Sequence, residues 1–262
     1  ALENTEYAYC NLPSFNVNEF IISYKEIIAD ITTKENQYEY YNKKTPFKKF
    51  RLEANKVVSY LAKEFELRKN AEQLKRASVA KTGELNMSKL FSYKFSEDIF
   101  KKITVVPNGK SHGIVMFLDW SGSMSDNLDN TIKQLINLTL FCRKVLIPFE
   151  VYAFSSEYGQ NDWMFETKKI GNMVLHKCNL LNILSSKMSA AEFKFACSSL
   201  LNCSTIYRRP DFLALGGTPL NEAIIAAMKI IPEFKKQYKL QIVNTIFLTD
   251  GEAHPTPLTY QE

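Results

Sequence analysis

The chain has 262 residues, of which 45% are hydrophobic and 13% aromatic, so it can fill the core of one large domain or of one domain with an extension. No run of about 18 apolar residues occurs, and the first residues lack the basic and apolar regions of a signal peptide. The five cysteines are odd in number and loosely spaced. We therefore expect free thiols in a reducing compartment, no membrane span, and a cytoplasmic location.

The net charge of +5 is unevenly distributed along the chain. Residues 1–111 contain 19 Lys/Arg and 14 Asp/Glu, whereas the remainder contains 14 of each. A basic excess in the N-terminal part would attract an acidic partner or nucleic acid. The simpler interpretation is a solvated helical surface.

The first 111 residues are predicted to be mainly helical. Apolar residues recur on one side of a helical pattern from Asn18 to Ile31, and a second, longer pattern runs from Pro46 to about Ala80. Gly83 interrupts this pattern, and a short strand is predicted at residues 103–106. We expect residues 1–111 to form a basic, helical N-terminal extension.

From Gly113 onward, strands alternate with helices. The predicted order is strand, helix, strand, hairpin, helix, helix, strand, at residues 113–118, 127–146, 149–154, 163–176, 189–201, 219–236 and 240–249. In the helix after Pro219 we expect Ile224, Ile225, Ala227, Met228 and Ile231 to face the core. This alternation predicts an α/β, Rossmann-like, doubly wound and mainly parallel sheet over residues 112–262.

Three oxygen-bearing side chains follow the first of these strands. Asp119, Ser121 and Ser123 leave its carboxyl end in the pattern Asp-x-Ser-x-Ser, and Gly122 permits a tight turn between the two serines. Carboxylate and hydroxyl oxygens are hard ligands, which suit Mg²⁺, Ca²⁺ or Mn²⁺. The loop is therefore a candidate metal site.

Two further oxygen donors follow other elements of the same predicted sheet. Asp250 ends the last strand, and Thr218 lies in a Gly-Gly-Thr-Pro loop. In doubly wound sheets, ligands bind beyond the strand carboxyl ends where the strand order reverses. If the strands before Asp119 and Asp250 are neighbours, two carboxylates and three hydroxyls surround one cavity. Without a metal, both aspartates would merely cap loops, and Thr218 would cap the helix that begins at Pro219.

This set of residues resembles the von Willebrand factor A (vWA) domain and its metal-ion-dependent adhesion site. The pattern of that family is Asp-x-Ser-x-Ser, a separate Thr, and a separate Asp usually followed by Gly. The resemblance covers roughly residues 112–262. It implies that Ser121, Ser123 and Thr218 bind Mg²⁺ directly, and that Asp119 and Asp250 hold it mainly through waters. It also implies a protein partner that offers an acidic residue to the metal, and the residues beside the site that would contact this partner are Trp120, Met124, Gly217 and Glu252.

Other chemistry has weaker support in the sequence. His176 with Cys178, Cys197 and Cys203 is a possible zinc set, but the spacings are not those of a zinc ribbon. No nucleophile elbow surrounds Ser121, and no phosphate-binding Gly-x4-Gly-Lys-Ser/Thr loop occurs. We therefore expect a protein that is not an enzyme.

A second resemblance narrows the family. The basic segment, the stretch from Gly83 to Leu90, and Leu213 to Leu220 are similar to the vWA subunit of aerobic cobaltochelatase and, more closely, to its relatives encoded by large tailed phages. In that group the vWA protein works beside a MoxR-type AAA+ ATPase ring, so the resemblance implies a metal-dependent adaptor in the host cytoplasm. Trp120 departs from the chelatase pattern, which has a smaller polar residue there, and a long acidic region is lacking. Cobalt insertion itself is therefore not implied.

Two alternative functions compete with the adaptor. An adhesion-type or virion vWA protein would bind a ligand outside the cell, and a nucleic-acid-associated protein would use the basic N-terminal helices. Only 11 residues follow Gly251, whereas a vWA sheet normally adds two more strands and a helix. We expect those C-terminal strands to be missing from this sequence.

Overall fold

The computed structural model describes residues 11–12, 15–34, 47–76, 78–92, 94–95, 100–105, 111–156, 173–175, 178–205, 209, 211–251 and 253. Most of the hairpin predicted at residues 163–176 lies outside these residues, as do His176 and His254.

The main sheet has five strands in the spatial order β1-β6-β5-β4-β7, and β2 and β3 form a separate antiparallel pair. Strand β4 is parallel to both of its neighbours, β1 is parallel to β6, and β6 is antiparallel to β5. The strands are β1 (Ile21–Ile22), β2 (Ser78–Leu85), β3 (Phe100–Val105), β4 (His112–Asp119), β5 (Phe149–Ser155), β6 (Asn179–Ser185) and β7 (Ile242–Leu248). The predicted mixed α/β class with a mainly parallel sheet is confirmed.

Helices cover both faces of this sheet. They are α1 (Tyr24–Lys34), α2 (Phe47–Arg76), α3 (Leu128–Lys144), α4 (Ala190–Thr205) and α5 (Leu220–Gln237). Met116 and Leu118 of β4 join the core formed with α1, α3 and α4, whereas Val115 and Phe117 join the core formed with α5. Because successive side chains of a strand alternate between faces, β4 is apolar without interruption.

The N-terminal segment is not helical throughout, which corrects the prediction. The helix expected from Asn18 begins at Tyr24, because Ile21 and Ile22 form β1 and pair with Leu180 and Leu181 of β6. Helix α2 ends at Arg76, and the residues that follow form the β2–β3 pair. Strand β1 extends the main sheet, and helix α1 contributes to its core.

The buried face of α5 also differs from the prediction. Ile224 and Met228 are 43% and 57% exposed, whereas Ala223, Ala226 and Ile230 are buried. At 3.6 residues per turn, Ala223, Ala226 and Ile230 share one side of the helix, and Ile224 and Met228 lie off that side. The expectation that Ile224 and Met228 face the core is therefore wrong.

Four cysteines, Cys142, Cys178, Cys197 and Cys203, are buried free thiols. Burial raises the pKa of Cys142 to about 12, so this thiol stays protonated and unreactive at neutral pH. Within the described part of the chain, no helix combines the length and apolar character needed to cross a membrane.

A buried carboxylate lies on β5. Glu150 is 4% exposed and accepts hydrogen bonds from Asn182 Nδ2 at 2.8 Å and Ser185 Oγ at 2.9 Å. The Lys187 ammonium nitrogen lies 3.7 Å from Glu150 Oε1 and forms an ion pair with the carboxylate. Burial nevertheless raises the pKa of Glu150, and these partners offset the shift only in part.

We expect the pH dependence of stability to identify this residue. Because the pKa of Glu150 is raised on folding, the folded state binds the proton more tightly than the unfolded state does. The free energy of unfolding therefore falls as the pH rises from the ordinary glutamate pKa through the raised pKa. The isosteric Glu150→Gln variant removes this slope, so its melting temperature should gain on that of wild type as pH rises. Thermal melts across this range measure the difference, and parallel curves for the two proteins would contradict the assignment.

Candidate metal centre

The site is built where β4 and β7 end side by side. Leu118 of β4 pairs with Leu248 of β7 in a parallel register, so Asp119 and Asp250 emerge at the same edge of the sheet. The strand order also reverses here, because the chain continues from β4 to β5 on one side and reaches β7 on the other. This edge is the position at which doubly wound sheets bind ligands.

Two hydrogen bonds connect three of the five predicted metal ligands. Ser121 Oγ and Ser123 Oγ are 3.0 Å apart, and Ser123 Oγ donates to Asp250 Oδ1 at 3.0 Å. Asp119 is fully buried, whereas Ser123 and Asp250 are exposed. The oxygens therefore extend from the core to the surface.

Asp119 carries the strongest electrostatic signal of the site. Its Oδ2 accepts a hydrogen bond from Thr249 Oγ1 at 2.7 Å, but its buried Oδ1 has no hydrogen-bond partner. Burial raises the pKa of Asp119, and the nearby negative charge of Asp250 raises it further, while hydrogen bonds from Thr249 and Ser121 act in the opposite direction. Among the described residues, no lysine or arginine forms an ion pair with either aspartate. A cation bound here would supply the missing positive charge.

A close backbone junction brings the Thr218 loop to this edge. The Gly122 N–H donates to the Gly216 carbonyl at 3.0 Å, and the Gly216 N–H donates to the Trp120 carbonyl at 3.1 Å. A Cβ atom on Gly216 would lie only 1.9 Å from the Ser156 carbonyl oxygen, so this position requires glycine. Thr218 follows two residues later, is 8% exposed, and precedes the Pro219 N-cap of α5.

The partner-contact residues predicted within the two loops are structural instead. Trp120 is fully buried, and its Nε1 donates to the Leu213 carbonyl at 2.9 Å. Met124 is 3% exposed, and Gly217 is buried with its N–H bonded to the Ser156 carbonyl. These three residues hold the loops together and present no side-chain surface to a partner, which corrects the prediction. Glu252 lies outside the described residues.

Thr249 is a site residue that the sequence analysis missed. Its hydroxyl donates to Asp119 and also accepts a hydrogen bond from the Gly251 N–H at 3.3 Å, so it links the ends of β4 and β7. Its only signal in the sequence is its place directly before Asp250. A threonine at a strand end is too common to single out without the pairing of the two strands.

The donor set fits a hard cation and does not fit a softer metal. It contains carboxylate and hydroxyl oxygens, which magnesium and calcium prefer over nitrogen and sulfur. Among the described residues, no group of three or more His, Cys, Asp or Glu side chains is placed to hold a metal. The zinc alternative with Cys178, Cys197 and Cys203 therefore gains no support from the described part of the chain.

Comparison with protein-family models and curated proteins adds no family assignment for the site. No protein-family model matches the chain, and no curated protein matches it significantly.

The glycine junction makes a direct prediction. Gly216→Ala places a methyl group against the Ser156 carbonyl, so we expect a loss of about 1–3 kcal/mol in the free energy of unfolding, or more if the loop cannot move. Gly251→Ala is the matched control, because the nearest atom to its added Cβ is Ser123 Oγ at 4.0 Å. Urea denaturation of both variants measures the effect. Equal stabilities would show that the junction does not constrain the site.

Proposed function

We propose that the chain is a vWA-type protein whose metal-ion-dependent adhesion site binds Mg²⁺, or Ca²⁺ or Mn²⁺ in its place, and through it a carboxylate of a protein partner. One observation carries this proposal: Asp119, with a buried oxygen that lacks a partner, lies at the same sheet edge as Ser121, Ser123 and Asp250. The Asp-x-Ser-x-Ser pattern supports the same conclusion.

The proposed ligands divide by charge. The hydroxyls of Ser121, Ser123 and Thr218 would bind the ion directly, and the carboxylates of Asp119 and Asp250 would hold it mainly through waters. The hydrogen bond from Ser123 to Asp250 favours this arrangement, because a hydroxyl that donates its proton to a carboxylate keeps its oxygen lone pairs for a cation.

This division explains why a partner would be captured. Mg²⁺ takes six oxygen ligands at about 2.0–2.1 Å and keeps several waters. Neutral hydroxyls leave most of the ion's charge uncompensated, so a carboxylate from outside replaces a water favourably. The exposure of Ser123 and Asp250 leaves the outer side of the site accessible to such a group.

The partner we propose is a MoxR-type AAA+ ATPase ring, as in the cobaltochelatase-like vWA proteins of large phages. The chain would act in the host cytoplasm as a non-enzymatic adaptor that passes on conformational changes of the ring. The support is the resemblance of residues 83–90 and 213–220, together with a site whose chemistry suits docking. Ile224 and Met228, exposed on α5 after the Thr218 loop, offer apolar contact area for such a partner.

Metal binding is tested by thermal stability. Adding Mg²⁺ at about 100 times its Kd should stabilise the wild-type protein by about 2.7 kcal/mol. Asp119→Asn and Ser123→Ala should remove this gain, because each deletes a member of the site. Asp126→Asn is the matched control, since Asp126 is an exposed carboxylate on the same loop. A Mg²⁺ response that survives Asp119→Asn would contradict the proposed site.

Partner binding is tested with a MoxR-type ATPase from the same source. The immobilised chain should recover the ATPase in Mg²⁺, and EDTA or Asp119→Ala should reduce recovery at least tenfold, whereas Asp126→Asn should not. Recovery that ignores both treatments would refute metal-dependent docking. If the chain instead binds RNA or DNA with an affinity that falls steeply with salt, the nucleic-acid alternative is favoured.

A further inference from the structure

Helix α2 uses one face to pack on the domain. Ala54, Val58 and Ala62 are buried on that face, and the Phe65 ring contacts Phe141 of α3 at a centroid distance of 5.7 Å. From residue 66 to residue 75 the helix is exposed except at Gln73, which is partly exposed. Its last three turns therefore extend past the contacts that hold its first part.

A second face of α2 carries an apolar stripe whose large side chains are more than half exposed. Val57, Tyr60, Leu67 and Leu74 are 52%, 65%, 54% and 71% exposed. Glu64 and Ala71 fall between them in the same pattern. The six residues recur in alternating steps of three and four: Val57, Tyr60, Glu64, Leu67, Ala71 and Leu74. This is the spacing of the a and d positions of a coiled-coil heptad. At 3.6 residues per turn, the stripe lies roughly a third of a turn around the helix from the face on the domain.

The residues that flank this stripe are basic. In the same heptad, Lys56 and Lys63 occupy g positions, and Arg68 and Lys75 occupy e positions. All four are exposed, and the remaining flanking residues, Leu61 and Asn70, are uncharged. No acidic residue occupies a flanking position between Lys56 and Lys75.

These charges disfavour a second copy of the chain as the occupant. A parallel pair would set Lys63 of one helix beside Arg68 of the other, and an antiparallel pair would set flanking cations against one another. Like charges at these positions oppose pairing. A helix with acidic flanks would instead find a cation beside most of its carboxylates.

We propose that the stripe on α2 binds an amphipathic helix of a protein partner, with aliphatic residues at its a and d positions and Asp or Glu at its e and g positions. Glu64 occupies an a position within the stripe and fixes the register, because it requires a cation or a polar group opposite. This surface does not involve the proposed metal ligands, and its binding needs no metal. Apolar burial along the stripe supplies most of the affinity, and the flanking charges select the partner.

A pair of synthetic helical peptides tests this proposal on the full chain. One peptide has three heptads, about 21 residues, with Leu at a and d and Glu at e and g, and its matched peptide has Lys at e and g. Fluorescence anisotropy should show that the Glu peptide binds at least tenfold more tightly than the Lys peptide. The preference should shrink as salt is raised.

Variants of exposed residues locate the binding surface without disturbing the fold. The double substitution Leu67→Ala and Leu74→Ala should weaken binding of the Glu peptide at least tenfold. Leu52→Ala should leave it unchanged, because Leu52 is 63% exposed but occupies a c position off the stripe. Asp119→Asn should also bind the peptide normally, so failure of the metal site and failure of this surface are distinguishable.

Four outcomes would overturn the proposal. Equal binding of the two peptides would remove the charge selection, and no binding by the full chain would show that its own residues cover the stripe. Sedimentation of the chain as a dimer that Leu67→Ala and Leu74→Ala convert to a monomer would make a second copy the occupant. Binding of an oligonucleotide that Lys63→Glu abolishes, with no binding of the Glu peptide, would assign the face to nucleic acid.

Discussion

Burial of the Asp119 carboxylate is the constraint on which the candidate site depends. A carboxylate with no exposed surface and one unpartnered oxygen is costly to keep in its charged form, and the raised pKa of Asp119 expresses that cost. The hydrogen bond from Thr249 satisfies only one side of the group. A cation on the other side would compensate for the rest. The same burial that weakens the fold locally would therefore favour the proposed cation.

Backbone pairing accounts for most of the geometry around Asp119. Strand β4 is held between β5 and β7, and the loop after it is bonded through Trp120 and Gly122 to Gly216. Backbones can approach this closely only where a side chain is absent, as at Gly216. The buried Trp120 side chain adds a hydrogen bond to the Leu213 carbonyl, a few residues before Gly216. The hydroxyls of Ser121, Ser123 and Thr218 therefore lie on two loops whose backbones are hydrogen-bonded to each other.

Sequence reasoning succeeds where one physical pattern dominates and fails where two compete. The long apolar run of β4 and the oxygens after it were predictable, because a strand buried on both faces is apolar throughout. Ile21 and Ile22 fit a helical stripe as well as an edge strand, and only pairing with β6 decides between them. The exposure of Ile224 depends on which side of α5 packs on the sheet. The burial of Trp120 and the role of Thr249 likewise depend on neighbours that are distant in the sequence. The function assigned to the site stays a prediction.

The course of α2 separates the two proposed binding surfaces. Lys49 and Glu53 near its start line the same cavity as Asp129 and Lys133 near the start of α3, and Phe65 meets Phe141 near the end of α3. The two helices therefore run in the same direction, and α3 begins just after the metal-site loop. At 1.5 Å per residue, α2 is about 45 Å long and α3 about 26 Å, so the outer part of the stripe extends past the end of α3 that is remote from the metal site. A helix bound along this outer part would lie away from the proposed metal site, so neither proposed contact would require the other. If one assembly engages both surfaces, the second contact forms within an existing complex, and the combined affinity exceeds that of either alone.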